Sequence, residues 1–252
     1  MLEKVLVVMS GGLDSTTLAY DLQDQGYQIS TVSFDYGQRH SDLELACATY
    51  HARKSGWQYD VVNLRDVGGR LKSALLIDGD VPEGHYAAES MKATIVPNRN
   101  AIMLSMACGI AVSRGVPYIA TAVHGGDHFI YPDCRPEFIK SLSLAFACGN
   151  EEFDAILAPY LDKDKSYIAQ KAVDLDYEWQ STYSCYKGGE KHCGRCGTCV
   201  ERMEALWSCT FKDDVPLYKQ SEEQKLIRLN WIFPPDLYED NTYWMTALEG
   251  AK

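Results

Sequence analysis

An apolar run, Val5-Leu6-Val7-Val8, leads directly into Met9-Ser10-Gly11-Gly12-Leu13-Asp14-Ser15-Thr16-Thr17 and then into the helical pattern Leu18-Ala19-Tyr20-Asp21-Leu22. That order constrains the fold more than any other feature of the chain. It reads as a buried strand, a small-residue turn and the first turn of a helix. Gly11 and Gly12 let the backbone bend and approach a ligand closely. Ser10, Ser15, Thr16 and Thr17 offer hydroxyls. The free amides of a helix start, with the positive end of its dipole, favour an anion. A plain capped turn needs one hydroxyl; four hydroxyls and a carboxylate read as a phosphate cradle.

The common nucleotide loop, G-x-x-x-x-G-K-[ST], is absent, because no Lys follows Gly12. The stretch instead resembles S-G-G-x-D-S, the pyrophosphate loop (PP-loop) of enzymes that split ATP between its α- and β-phosphates. On that resemblance Val8, Met9, Ser10, Gly11, Gly12, Leu13, Asp14, Ser15, Thr16, Thr17 and Leu18 are expected to form the ATP site. Asp14 either holds Mg²⁺ or caps the helix.

Strands are expected at 5–9, 29–34, 59–63 and 118–123, and helices at 16–25, 41–55, 100–114, 136–149 and 166–175. Gly26, Gly56 and Gly115 stand where helix ends need glycine. Alternating strands and helices predict an α/β fold: a parallel sheet with helices on both faces, Rossmann-like. Ligands of such sheets bind past the carboxyl ends of the strands, where strand order reverses. The Ser10–Thr17 loop and the block Asp35-Tyr36-Gly37-Gln38-Arg39-His40 both stand at such ends. Residues 64–98 are irregular and read as a lid or insert. The rhythm changes near residue 161. Residues 1–160 are therefore expected to form the nucleotide-binding part. Residues 161–252 are expected to form a small helical, metal-binding region packed on it as one unit.

Nine cysteines occur in 252 residues, and four of them cluster as Cys185-x7-Cys193-x2-Cys196-x2-Cys199. Two overlapping C-x-x-C turns put three sulfurs on one tight loop, and Cys185 can close a tetrahedron, which suits one structural Zn²⁺ per chain. An iron–sulfur cluster, a redox pair and unrelated buried thiols are the alternatives. The chain opens on a core strand without a signal peptide, and no apolar run approaches the length of a membrane span. These features predict a cytoplasmic protein without a membrane partner, in which thiols serve as ligands rather than disulfides. The net charge is −11, so no stable nucleic-acid binding is expected, and small molecules are favoured.

With both motifs located, the chain resembles the 7-cyano-7-deazaguanine synthases, which make preQ0 for queuosine and other deazaguanine biosynthesis. The blocks that carry the resemblance are 10–15, 34–40, Val96-Pro97-Asn98-Arg99-Asn100, Tyr131-Pro132-Asp133-Cys134-Arg135-Pro136-Glu137-Phe138, Lys163 downstream of Pro159, Ser184-Cys185-Tyr186 and 193–199. The chain departs from relatives at Gly197-Thr198, where many have Pro, and in His124-Gly125-Gly126-Asp127-His128-Phe129.

The resemblance implies an adenine nucleotide alpha hydrolase-like fold. It also implies a ligase reaction: 7-carboxy-7-deazaguanine, ammonia and ATP with Mg²⁺ give the nitrile through adenylated acid and amide intermediates. The same resemblance makes Asp14 and Lys163 the expected catalytic residues. Lys163 neutralises phosphate, or else is a solvated surface lysine. Phe34 borders adenine or is core. Arg99 and Arg135 hold the substrate carboxylate, and Asp133 accepts from the guanine-like edge, unless these three form structural ion pairs. His124 and His128 serve proton transfer or cap their loop. A homodimer is left open. The rival reading is a PP-loop tRNA-modifying enzyme that adenylates a base.

Overall fold

The computed structural model describes residues 2–76 and 79–210. The acidic, aromatic tail from residue 211 lies outside the described residues. Five parallel strands among the described residues form one sheet: β1 (Lys4–Val8), β2 (Gln28–Asp35), β3 (Gln58–Asn63), β4 (Tyr118–Ala120) and β5 (Ala155–Leu157), in the order β3-β2-β1-β4-β5. β1 is central, with Val5 against Ile29 on one side and Tyr118 on the other. This is why its sequence is a continuous apolar run: Val5, Leu6 and Val7 are all fully buried.

The two-residue period of β1 sends its side chains to opposite layers. Val5 and Val7 pack with Leu18, Ala19 and Leu22 of α1 (Leu13–Asp24), Ala48 and Ala52 of α2 (Ser41–Ser55), and Ile168 of α6 (Lys165–Asp174). Leu6 packs on the other face with Leu104, Ala107 and Ala111 of α4 (Arg99–Ser113) and Ile139 of α5 (Pro136–Gly149). A short α3 (Arg65–Gly68) follows β3, and α7 (Gly197–Thr210) closes the described chain. The expected doubly covered parallel sheet is the fold observed. Gly56 ends α2 with φ of 69°, the left-handed turn for which glycine is suited.

β5 and α7 are among the elements that escape the sequence reading. β5 has three residues, too few to show a strand period. The apolar spacing of α7 (Val200, Met203, Leu206) is masked by the cysteines that open it. Its Met203 and Leu206 pack with Ala169 and Ala172 of α6 and Leu13 of α1, so the described C-terminal helices lie directly on the first helix.

The irregular stretch 64–98 is docked rather than loose. Glu83 bridges to Cys196, Gly84 N–H donates to Arg195 O at 2.9 Å, and Lys187 pairs with the Glu83 carboxylate. This brings Tyr86 and Met91 over the sheet's carboxyl end.

Buried Asp21 ties α1 to the C-terminal part: it accepts from Tyr160 Oη at 2.9 Å and from Lys171 Nζ at 3.0 Å. Asp21→Ala leaves the Tyr160 hydroxyl buried without its acceptor. The expected loss is about 2–3 kcal/mol, read as a lower urea midpoint with a single cooperative transition.

Candidate active site and metal centre

Strand order reverses at β1, whose neighbours β2 and β4 are fed by connections running in opposite directions, so a crevice opens past their carboxyl ends. The cavity there is lined by the phosphate loop, by Phe34 and the β2–α2 turn, by the start of α4, by the segment after β4, and by α6 and α7. The turn is drawn tight by Ser10, whose N–H donates to Ser15 Oγ at 3.1 Å and whose Oγ accepts from Gly12 N–H at 3.2 Å. Gly11 has φ of 93°, and a Cβ there would lie 2.1 Å from the Glu44 carbonyl oxygen. Only glycine lets the loop lie against α2 at this point.

The loop residues separate into two sets. Val8, Met9, Ser10, Gly12, Asp14 and Ser15 line the cavity. Gly11 backs onto α2. Leu13 and Leu18 are core, Thr16 is buried, and the Thr17 hydroxyl donates to Leu13 O at 2.7 Å beside Tyr177 Oη. The side chains of Leu13, Thr16, Thr17 and Leu18 are thus turned inward, because a helix's successive residues point round its circumference and only one arc faces the crevice.

Asp14 is not a cap. The N-cap of α1 is Gly12, with no side-chain capping bond. The Asp14 carboxylate instead pairs through Oδ2 with the ammonium of Lys165, and its Oδ1 is buried without a partner. Lys165 also lies 3.7 Å from Glu201 Oε2. Burial pushes the Asp14 carboxyl up, but Lys165, His124 and Arg202 together outweigh it and hold it below the ordinary value. Burial opposes the charge of Lys165, yet Asp14 and Glu201 hold its pKa above the usual lysine range. Burial dominates at Glu201, whose carboxyl is raised despite Lys165 and His124.

His124 Nδ1 accepts from Gly126 N–H at 3.1 Å, capping the short 3₁₀ turn Gly125–Phe129. The other ring nitrogen, Nε2, stands 3.6 Å from Asp127 and 3.9 Å from Glu201. The capping reading describes His124, and the ring also faces the cavity. His128 is not among the cavity-lining residues.

Three expected residues lie elsewhere. Lys163 sits with Asp162 at 3.1 Å and over the Tyr167 ring, outside the cavity lining. The lining lysine is Lys165, two residues on. Asp164 decides this: as N-cap of α6 its side chain accepts from Tyr167 N–H, and that start angle turns Lys165 inward. Asp133 Oδ2 accepts from Asn100 N–H at 3.0 Å at the start of α4, and the residue is not among those lining the cavity. Arg135 Nε donates to the His128 carbonyl at 3.0 Å on an exposed edge. Arg99 does line the cavity, and its Nη1 is 3.5 Å from Tyr36 Oη.

Cys185, Cys193, Cys196 and Cys199 come together as expected, all buried, with their sulfurs within 4.8 Å of one another. Their donor set fits a four-thiolate metal centre, since a tetrahedral site with Zn–S near 2.3 Å sets sulfurs about 3.8 Å apart. Backbone N–H groups already point at the sulfurs: Cys196 and Arg195 donate to Cys193 Sγ at 3.3 and 3.4 Å. The centre caps the N-terminal end of α7, the helix that carries Glu201.

A family model described as queuosine biosynthesis protein QueC matches residues 4–210. The chain belongs to the QueC family. A 7-cyano-7-deazaguanine synthase of Rhizobium meliloti is 49% identical over 97% of this chain and 95% of its own length. One from Methanoregula boonei is 47% identical over 81% of this chain and 94% of its own. Among solved structures, a 4-thiouridine synthetase–RNA complex with bound ATP aligns at 16% identity, covering 99% of this chain and 53% of that one, with a TM-score of 0.44. No helix among the described residues is long and apolar enough to cross a membrane.

Glu201 and Lys165 are among the cavity-lining residues that sequence reasoning missed. Lys165→Met removes the cation facing the phosphate loop and is expected to lower turnover about 10²–10³-fold. Lys163→Met is expected to leave turnover within about twofold, as for other exposed pairs. Steady-state kinetics of the two variants side by side checks the reassignment.

Proposed function

We propose that this chain converts 7-carboxy-7-deazaguanine, ammonia and ATP into 7-cyano-7-deazaguanine through an adenylated acid and an adenylated amide. The observation that best supports this is one cavity holding a phosphate loop, the buried cation Lys165 and a separate guanidinium, Arg99. The first two suit a nucleotide's phosphates; the third suits a carboxylate.

A carboxylate is a poor electrophile, so its oxygen must first leave as part of a better leaving group. The carboxylate oxygen attacks the α-phosphorus of ATP, and pyrophosphate departs. Ammonia then attacks the acyl carbon, the C–O bond to AMP breaks, and the nitrogen loses a proton. The amide oxygen repeats the attack on a second ATP. Loss of AMP with the remaining two protons leaves the nitrile.

The loop amides and the hydroxyls of Ser10 and Ser15 hold the departing pyrophosphate in place, and Lys165 meets the charge that develops on it. The unpartnered Oδ1 of Asp14 fits a Mg²⁺ ion, which would screen the phosphates and steady the developing negative charge. Arg99 orients the substrate acid. The acidic balance of the chain supports small-molecule substrates over a nucleic-acid partner.

The cysteine centre is proposed to hold one structural zinc, because four thiolates in a closed site leave no open position for chemistry. Elemental analysis should find about one zinc per chain, and Cys196→Ser should lose the metal and much of the folded yield. Iron in stoichiometric amount would replace the zinc assignment with a cluster.

The reaction is expected to release AMP and pyrophosphate, not ADP and phosphate, with two AMP per nitrile. Carboxylate labelled with ¹⁸O should deliver label to AMP in both halves, and supplied amide should convert with one ATP. Label in phosphate would refute the two adenylations.

A further inference from the structure

Two opposite charges line the cavity without forming an ion pair with each other. Arg99 lines it, hydrogen-bonds the Tyr36 hydroxyl, and forms no ion pair with a carboxylate among the described residues. Glu44 lines the same cavity, is 9% exposed, and has one ionisable partner, His40, at 3.6 Å. That partner is weak. Burial lowers the His40 pKa more than Glu44 raises it, so the ring is largely neutral near pH 7. Gln38 fixes one carboxylate oxygen: its Nε2 donates to Glu44 Oε2 at 3.3 Å and to Phe34 O at 3.2 Å, while its Oε1 accepts from Tyr36 N–H. Burial raises the Glu44 carboxyl above its ordinary value, against the pull of His40, Gln38 and Arg99.

A buried carboxylate short of donors and a guanidinium short of an acceptor are both costly until a ligand satisfies them. The deazaguanine acid carries both complements. Its carboxylate projects from one end of a flat bicycle. At the other end the N1–H and the 2-amino group lie side by side as two parallel donors, the pattern a carboxylate accepts. Tyr36, Tyr131 and Tyr186 line the cavity beside these groups and offer rings for the bicycle to lie against. Asp133, the residue expected at this edge, is committed to the start of α4.

On the substrate assignment made above, we propose that Glu44, held by Gln38, reads the N1–H and 2-amino edge of the deazaguanine while Arg99 holds its carboxylate. Glu44 is thus a specificity-determining residue. A site built on these donors rejects an analogue that lacks one, because the carboxylate then stays buried and under-bonded.

The test measures AMP release with 7-carboxy-7-deazaguanine and with its analogue lacking the 2-amino group. The wild-type protein should prefer the first by about 30-fold or more in kcat/KM, the range for one hydrogen bond to a charged group. Glu44→Gln should shrink that ratio to about threefold, mostly through KM for the acid, with KM for ATP unmoved. Metal content and circular dichroism report whether the variant folds. If it does not, the wild-type ratio and an N1-methyl analogue decide alone: the N1-methyl compound should fail to compete with the acid. A wild-type ratio near one, or a folded variant that keeps the full ratio, would overturn the Glu44 assignment and leave the adenylation reading standing. Absence of AMP release with the acid itself would instead overturn the substrate assignment, and the Glu44 inference with it.

Discussion

Lys165 stands between two carboxylates, Asp14 from the phosphate loop and Glu201 from α7, and the organisation of the site depends on that contact. Asp14 belongs to the first βα unit; Glu201 belongs to the helix that grows out of the cysteine cluster. One ammonium therefore joins the oldest part of the fold, in chain order, to the last described element. The three groups also set each other's charge. Removing Lys165 leaves Asp14 and Glu201 buried without the cation they share.

The cysteine cluster is tied into the same geometry. Cys196 and Cys199 bracket the first turn of α7, and Glu201 and the fully buried Arg202 follow immediately. Arg202 donates to Thr182 Oγ1 at 2.7 Å and to Ser184 Oγ at 3.1 Å, so the segment leading to Cys185 is held by the helix that the other cysteines begin. Folding the knot fixes the axis of α7, and the axis fixes where Glu201 reaches. Glu83, paired with Lys187 beside the knot, extends the same framework to the segment carrying Tyr86. A cluster remote from the reacting atoms thereby sets the shape of the cavity wall.

On the proposed reading, the substrate end follows a different principle. There the protein keeps Arg99 and Glu44 unpaired with each other, although both line one cavity. A direct ion pair would be more comfortable for the free protein but would leave nothing to recognise. Keeping opposite charges apart, each steadied by neutral partners such as the Tyr36 hydroxyl and the Gln38 amide, concentrates binding energy on a ligand with the complementary ends.

Much of this was legible in the chain. The apolar β1 followed by Ser10–Asp14 determined a central parallel strand that runs into a tight turn at the cavity, because burial on both faces demands a continuous apolar run and because glycine lets the backbone lie where a Cβ would clash. The spacing of Cys185, Cys193, Cys196 and Cys199 determined a compact cluster of sulfurs that could hold a metal, since tight C-x-x-C turns bring sulfurs together whatever surrounds them. The tertiary structure alone decided which polar side chains face the cavity. Lys163 and Lys165 are equivalent in a sequence of alternating charges, and only the start angle of α6 separates them. Asp133 stands out in its sequence block and Glu44 does not, and only the packing shows that Glu44 lines the cavity while Asp133 Oδ2 accepts from the start of α4. Thr17 looks like a loop hydroxyl until the helix turns it toward Tyr177. Local pattern fixes which residues can bond, but orientation depends on how elements far apart in sequence pack, and that is not written in any one stretch.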